Sequence, residues 1–120
     1  MISRAHRFHG HNCLRYVYQQ GNTVRGPNFA LKSLLNPRRK QYRLAVVVSR
    51  KVEKSAVARN RIRRRLYAGV QTVEQDIIQP YDIVLTVFSN ELLNEPAEVL
   101  NKQLHSQLRS AGILANRIKS

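Results

Sequence analysis

Apolar positions along the chain follow two periods, and the places where the period changes predict the elements. Residues 42–49 (YRLAVVVS) and 81–88 (YDIVLTVF) are rich in β-branched residues and predict two strands, the first of them central in its sheet. Side chains along residues 29–34 alternate as expected of a half-buried strand. From Ser55 to about Val73 the apolar positions take up a helical period instead.

Three segments are predicted to form helices, and the second of them is the segment from Ser55 to about Val73. The first begins near Asn12, a good N-cap, and ends at Gly21. The last begins at Asn94, with Pro96 just inside, and ends at Gly112. The apolar stripes of the second and third helices are predicted to be Ile62, Leu66, Val70 and Val73, and Val99, Leu100, Leu104 and Leu108.

The order of these elements predicts an α+β domain in which helices pack on a small sheet. A chain of 120 residues suits one domain, which we place at residues 1–112. Residues 1–10 are expected to be a flexible lead-in, and residues 113–120 a C-terminal tail. No run of about 18 apolar residues occurs, so no membrane span is predicted.

Charge changes the picture, because the formal net charge is +14 and the pI is near 11.1. Residues 1–66 hold 17 of the 21 Lys and Arg residues but a single one of the seven acids, Glu53. A field this positive and this uneven favours a polyanionic partner, and nucleic acid is the common one. The single cysteine, Cys13, and an N-terminus without the apolar core of a signal peptide favour a cytoplasmic protein.

The charge is densest in AVARNRIRRRLYAGV, residues 56–70, where five arginines and Asn60 fall within seven positions. On a helix, Arg61, Arg64 and Arg65 share one face, and Arg59 shares a neighbouring one with Arg63. Like charges at this spacing destabilise an isolated helix by about 0.2–0.5 kcal/mol per pair. Arginine pairs well with phosphate, so an RNA backbone is the neutralising partner that we expect.

The stretch SRKVEKSAVARNRIRRRLY resembles the signature of the bacterial ribonuclease P protein subunit. YVYQQGNTVRGPNFALK is similar to that family's first helix, glycine turn and aromatic strand, and YDIVLTVF to its last strand. The resemblance covers about residues 8–110. It implies a four-stranded sheet, the order α-β-β-β-α-β-α and a left-handed βαβ crossover through the arginine helix. The usual rule favours the right hand, so the predicted hand rests on the resemblance alone.

The same resemblance implies a function. Proteins of this family bind the catalytic RNA of ribonuclease P and assist endonucleolytic removal of the 5′ leader from precursor tRNA. The chemistry belongs to the RNA and its Mg²⁺ ions, so no catalytic residue, metal ligand or further protein partner is expected on this chain.

Two binding sites follow from the resemblance, one for the RNA subunit and one, a cleft between the first helix and the sheet, for the single-stranded leader. Stacking of a base on an aromatic side chain contributes about 1–3 kcal/mol and tolerates any sequence. The first site would comprise Arg50, Lys51, Arg59, Asn60, Arg61, Arg63, Arg64 and Arg65. The cleft would be lined by Leu14, Tyr18, Phe29, Lys32 and Val47, with Tyr18 and Phe29 as stacking candidates.

The sequence departs from the family pattern at several positions. Leu14 and Lys32 stand where aromatic residues are common, which favours charge contact over stacking. Tyr67 and Ala68 replace a basic–acidic pair, and Glu53 lies where glycine is frequent, in a loop that is one residue longer than in many members.

Other signals are weaker. His6, His9, His11 and Cys13 lie close together, but structural zinc sites usually have a second ligand pair, and none follows downstream. A structural RNA-binding protein of the ribosome, where a similar fold occurs, remains the alternative function. DNA binding is a third possibility, although neither a helix-turn-helix nor a dimer seam is found.

Overall fold

A computed structural model describes residues 11–114, with side chains from Tyr16 onward. The predicted lead-in and residues 115–120 of the predicted tail lie outside this range. Two short 3₁₀ helices, Glu74–Asp76 and Asn90–Leu93, accompany the main elements. The main elements are α1 (His11–Gln20), β1 (Asn22–Arg25), β2 (Phe29–Leu35), β3 (Arg43–Val48), α2 (Ala56–Gln71), β4 (Tyr81–Val87) and α3 (Ala97–Ser110).

The four strands form one mixed sheet in the order β1-β2-β4-β3. β2 pairs antiparallel with β1 and β4, whereas β3 runs parallel to β4 and connects to it through α2. The α+β class and the predicted element order are confirmed, and the hand of the crossover stays a prediction. The central position predicted for β3 is wrong, since β3 lies at an edge. Its strand is apolar because both of its faces are covered, and face coverage does not determine lateral position.

The main core lies between one face of the sheet and the helices α2 and α3. Ile62, Leu66 and Val70 of the predicted α2 stripe are fully buried there. The α3 stripe is confirmed except at Val99, which is 40% exposed. Ile113 is also buried in this core, so the core extends one residue past the domain boundary predicted at 112.

The other face of the sheet is covered by α1, and we call it the α1 face. Val17 of α1 packs against Ala45 and Val84, which are both buried. Alternation along the strands therefore sends every second residue to α1 and the remaining ones to the main core. The partly buried neighbours on this face are Tyr18, Leu34 and Val47.

Polar contacts fix the sheet end near the start of β3. Arg43 makes a two-point ion pair with Asp82, with distances of 2.8 and 2.9 Å. The Tyr42 hydroxyl donates to Glu74 at 2.9 Å, and burial together with this carboxylate raises the pKa of the Tyr42 phenol. Among the helices within residues 11–114, none is long and apolar enough to cross a membrane.

Candidate nucleic-acid interface

The loop between β3 and α2 is held by its own polar side chains. Ser55 caps α2 by accepting a hydrogen bond from the Ala58 amide at 3.2 Å. The Glu53 carboxylate accepts from the Ser55 amide at 3.1 Å and from the Asn90 side chain at 3.4 Å. The one acid of the basic half of the chain is therefore engaged in shaping this loop and in joining it to the segment after β4.

A basic hollow of about 580 Å³ lies beside this loop, at the N-terminus of α2. The Nη1 group of Arg59 donates to the carbonyls of Glu53 and Lys54, at 2.9 Å each, and leaves its Nη2 and Nε donors available. The helix N-terminus adds a partial positive charge. The hollow thus combines one guanidinium held by the loop backbone, three exposed cations and the positive end of a helix, a combination suited to phosphate. Its lining is Arg50, Lys51, Lys54, Ala56 and Arg59.

The outer face of α2 carries Asn60, Arg61 and Arg64, which are all exposed. Arg63 lies next to them, and its guanidinium donates to the Asn60 side-chain oxygen at 2.8 Å. Arg61 and Arg64 make no hydrogen bond to any side chain or backbone group that the structure describes. Both guanidinium groups therefore present their full set of donors to a partner.

Arg65 differs from the prediction. Its Nη1 donates to the carbonyls of Leu92 and Leu93, and its Nη2 to that of Glu95. One helical turn further on, Gly69 is buried against α3, so Arg65 borders the buried side of α2. Its guanidinium is used inside the fold to hold the segment between β4 and α3, and we remove it from the RNA-binding set.

The α1 face brings together three of the five predicted cleft residues. The Tyr18 hydroxyl shares a hydrogen bond of 2.9 Å with Thr86 of β4. The Lys32 ammonium donates to the Tyr18 carbonyl at 2.8 Å and lies 5.6 Å from the Tyr18 ring centroid. Val47 packs against the same small cluster. These contacts bring together an aromatic ring, a cation and an apolar side chain where the leader cleft is predicted.

Phe29 does not belong to this cleft, and its predicted stacking role is wrong. Its side chain is 0% exposed and belongs to the main core, on the opposite face of the sheet. Lys32 lies three positions away on β2, and an odd spacing places two strand residues on opposite faces. The side chain of Leu14 lies outside the described residues.

Sequence reasoning did not single out Lys54, Thr86 or Phe88. Thr86 and Phe88 flank Val87, which is buried in the main core, so strand alternation assigns both to the α1 face. Tyr67, which replaces a basic residue of the family pattern, packs against the main core.

No group of three or more His, Cys, Asp or Glu side chains that could hold a metal ion occurs in the part of the chain described. The side chains of His6, His9, His11 and Cys13 lie outside that part.

Comparison with known proteins decides the family. A sequence profile described as Ribonuclease P matches residues 2–112. The chain belongs to the ribonuclease P protein component family. A ribonuclease P protein component from Chloroflexus aurantiacus is 33% identical over 113 residues, which cover 94% of this chain and 82% of the relative. The resemblance found in the sequence is thereby confirmed.

Solved ribonuclease P protein structures have the same fold. The protein from Staphylococcus aureus aligns with a TM-score of 0.81 at 22% identity, covering 92% of this chain and 99% of its own. That from Thermotoga maritima gives a TM-score of 0.72 at 21% identity, with 81% and 89% covered. The fold of the ribonuclease P protein is therefore retained where most side chains differ.

Proposed function

We propose that this chain is the protein subunit of ribonuclease P and assists endonucleolytic removal of the 5′ leader from precursor tRNA. The exposed face of α2 and the basic hollow bind the catalytic RNA. The cleft on the α1 face binds the single-stranded leader. The observation that carries the proposal is the set of exposed cations on α2 and in the loop before it, together with the Tyr18 ring and the Lys32 ammonium side by side on the α1 face.

The exposed cations of α2 and of the loop before it support RNA-backbone binding. Arg50, Lys51, Arg61 and Arg64 are exposed. The acid closest in sequence, Glu53, is already engaged by Ser55 and Asn90. The mutual repulsion of these four cations is relieved when they bind RNA phosphates. Binding also releases counterions from the RNA, so the affinity depends on the salt concentration.

The cleft supports leader binding. Tyr18 supplies a ring for stacking, and Lys32 beside it supplies a charge for the backbone. Neither contact reads the identity of a base, which suits a segment of variable sequence.

The reaction itself is assigned to the RNA subunit and its Mg²⁺ ions. In this proposal the chain contributes binding and orientation in the cytoplasm, and it requires no second protein. The ribosomal alternative predicts tight RNA binding without any effect on tRNA processing, and family membership favours the ribonuclease reading.

Cleavage of precursor tRNA by a bacterial ribonuclease P RNA at low Mg²⁺ tests this function. Adding the protein is expected to stimulate cleavage strongly, while the protein alone should give no product. Tight binding to the RNA without stimulation would contradict the proposal and favour the ribosomal alternative.

Replacing Tyr18 with leucine is expected to weaken holoenzyme binding to precursor tRNA about fivefold or more, since a stacking surface is lost. Affinity for mature tRNA and for the RNA subunit should be unchanged. Tyr18→Phe, which loses only the hydrogen bond to Thr86, should behave more like the native protein. Tyr16→Leu, on the same helix, is the matched control. An equal loss of affinity with that control would assign the effect to α1 as a whole.

A further inference from the structure

One row of residues crosses the α1 face from edge to edge. The strand register places Arg25 opposite Ala30, Ala30 opposite Thr86, and Thr86 opposite Val47. Thr86 holds the Tyr18 hydroxyl, so this row forms the floor of the cleft. Arg25, on the short strand β1 that only the family resemblance implied, therefore stands at one end of the cleft floor.

Phe88 lies on the same face, two residues beyond Thr86 and thus about 7 Å along the strand direction. Its amide donates to the Asn28 carbonyl at 3.0 Å, which continues the pairing of β4 beside β2. Phe88 is 39% exposed, and the Arg25 guanidinium carbon lies 4.9 Å from the centroid of its ring. A cation and an aromatic ring are therefore stacked in solvent.

Phe88 and the basic hollow lie at the same end of the sheet, where β3 and β4 both end. β3 and β4 are parallel with Val48 opposite Val87, so Phe88 leaves the sheet beside the residue that precedes Arg50. The hydrogen bond from Asn90 to Glu53 ties the two chain segments together just beyond. RNA that leaves the cleft at this end of the sheet would therefore lie beside Phe88 and the Arg25 guanidinium stacked on it.

We propose that Arg25 and Phe88 form a stacking platform for one unpaired nucleotide of the precursor leader, a proposal that rests on the proposed function. Guanidinium planes and aromatic rings both stack on splayed bases. Arg25 makes no hydrogen bond within the described part of the chain, so its donors are available for the phosphate of the same nucleotide. The platform extends the cleft by one binding position beyond Tyr18.

An abasic scan of the leader tests the platform in the assembled holoenzyme. Precursor tRNAs carrying one abasic nucleotide at each leader position are bound by the native enzyme and by enzymes with Phe88→Leu or Arg25→Lys. An abasic nucleotide keeps its phosphate and loses only the stacking base. Ile78→Ala and Arg109→Lys, both at exposed positions on other surfaces, are the matched controls.

With the native enzyme, one abasic position beyond those that depend on Tyr18 should weaken binding about fivefold or more. Each platform variant should bind the intact leader and the leader that is abasic at that position with equal affinity. The control variants should show the same dependence on abasic position as the native enzyme. Phe88→Leu with the native profile would overturn the platform and leave the proposed function standing. Weaker binding of the RNA subunit with an unchanged leader profile would also overturn it, because the base would then come from that subunit. Equal native affinity for precursor and mature tRNA would overturn platform and leader binding together.

Discussion

Replacing Arg61 and Arg64 together with alanine is expected to lower affinity for the ribonuclease P RNA on the order of a hundredfold. Each guanidinium is exposed and unpaired within the described residues, so each can make a charge-assisted contact with phosphate. Hydrogen bonds to charged groups contribute about 1.5–3 kcal/mol each, and 1.4 kcal/mol corresponds to a factor of ten. The fold should be unaffected, because neither side chain contacts the core.

Salt dependence separates a direct phosphate contact from a general loss of charge. Each phosphate contact contributes about 0.7–0.9 to the slope of log affinity against log salt. The double variant, which loses two such contacts, should therefore flatten the slope by about 1.4–1.8. Arg38→Ala with Arg39→Ala removes the same charge from the exposed turn between β2 and β3 and is the matched control. An equal change of slope in that control would mean that total charge matters and the outer face of α2 does not.

The α2 helix shows which side chains a periodic pattern can assign to the core or to the surface. Spacings of four residues placed Ile62, Leu66 and Val70 in the core, and all three are fully buried. The same wheel put Arg61 and Arg64 outside, which is also correct. These predictions succeed because a single helix face has to be buried, and burial follows from local sequence.

The sheet was harder to predict for a physical reason. Both of its faces are covered, one by α2 and α3 and the other by α1, so apolar residues occur on both sides of β3. Hydrophobicity alone then cannot tell which face a residue joins, and Phe29 was assigned to the wrong one. β1 has only four residues, three of them exposed, and it was implied only by the family resemblance.

Arg65 shows where residue type misleads. Its position one turn before Gly69 directs it to the seam between α2 and the segment that precedes α3. A glycine within a helical sequence does not by itself indicate that another helix packs on it. The contact between α2 and the segment before α3 could therefore be found only in the structure. Charge density pointed to RNA, whereas the nearby carbonyls determine what the guanidinium does.

Arg65→Met is therefore expected to lower the free energy of unfolding by about 2–4 kcal/mol, since three carbonyls lose a charged donor. That is a large part of the 5–15 kcal/mol typical of small domains. Arg64→Met, one position away and exposed, should change stability by no more than about 0.5 kcal/mol. Urea unfolding followed by circular dichroism measures both.

In RNA binding the order of the two variants should be reversed, with Arg64→Met affected more than Arg65→Met. At temperatures where both are folded, Arg64→Met should flatten the salt slope by nearly one phosphate contact, and Arg65→Met should leave it unchanged. Arg65→Lys, which keeps the charge but not the planar fork, should lose part of the stability. If Arg65→Met were as stable as the native protein and also flattened the slope, its guanidinium would leave the carbonyls for RNA. The assignment made from the arginine cluster would then be right after all.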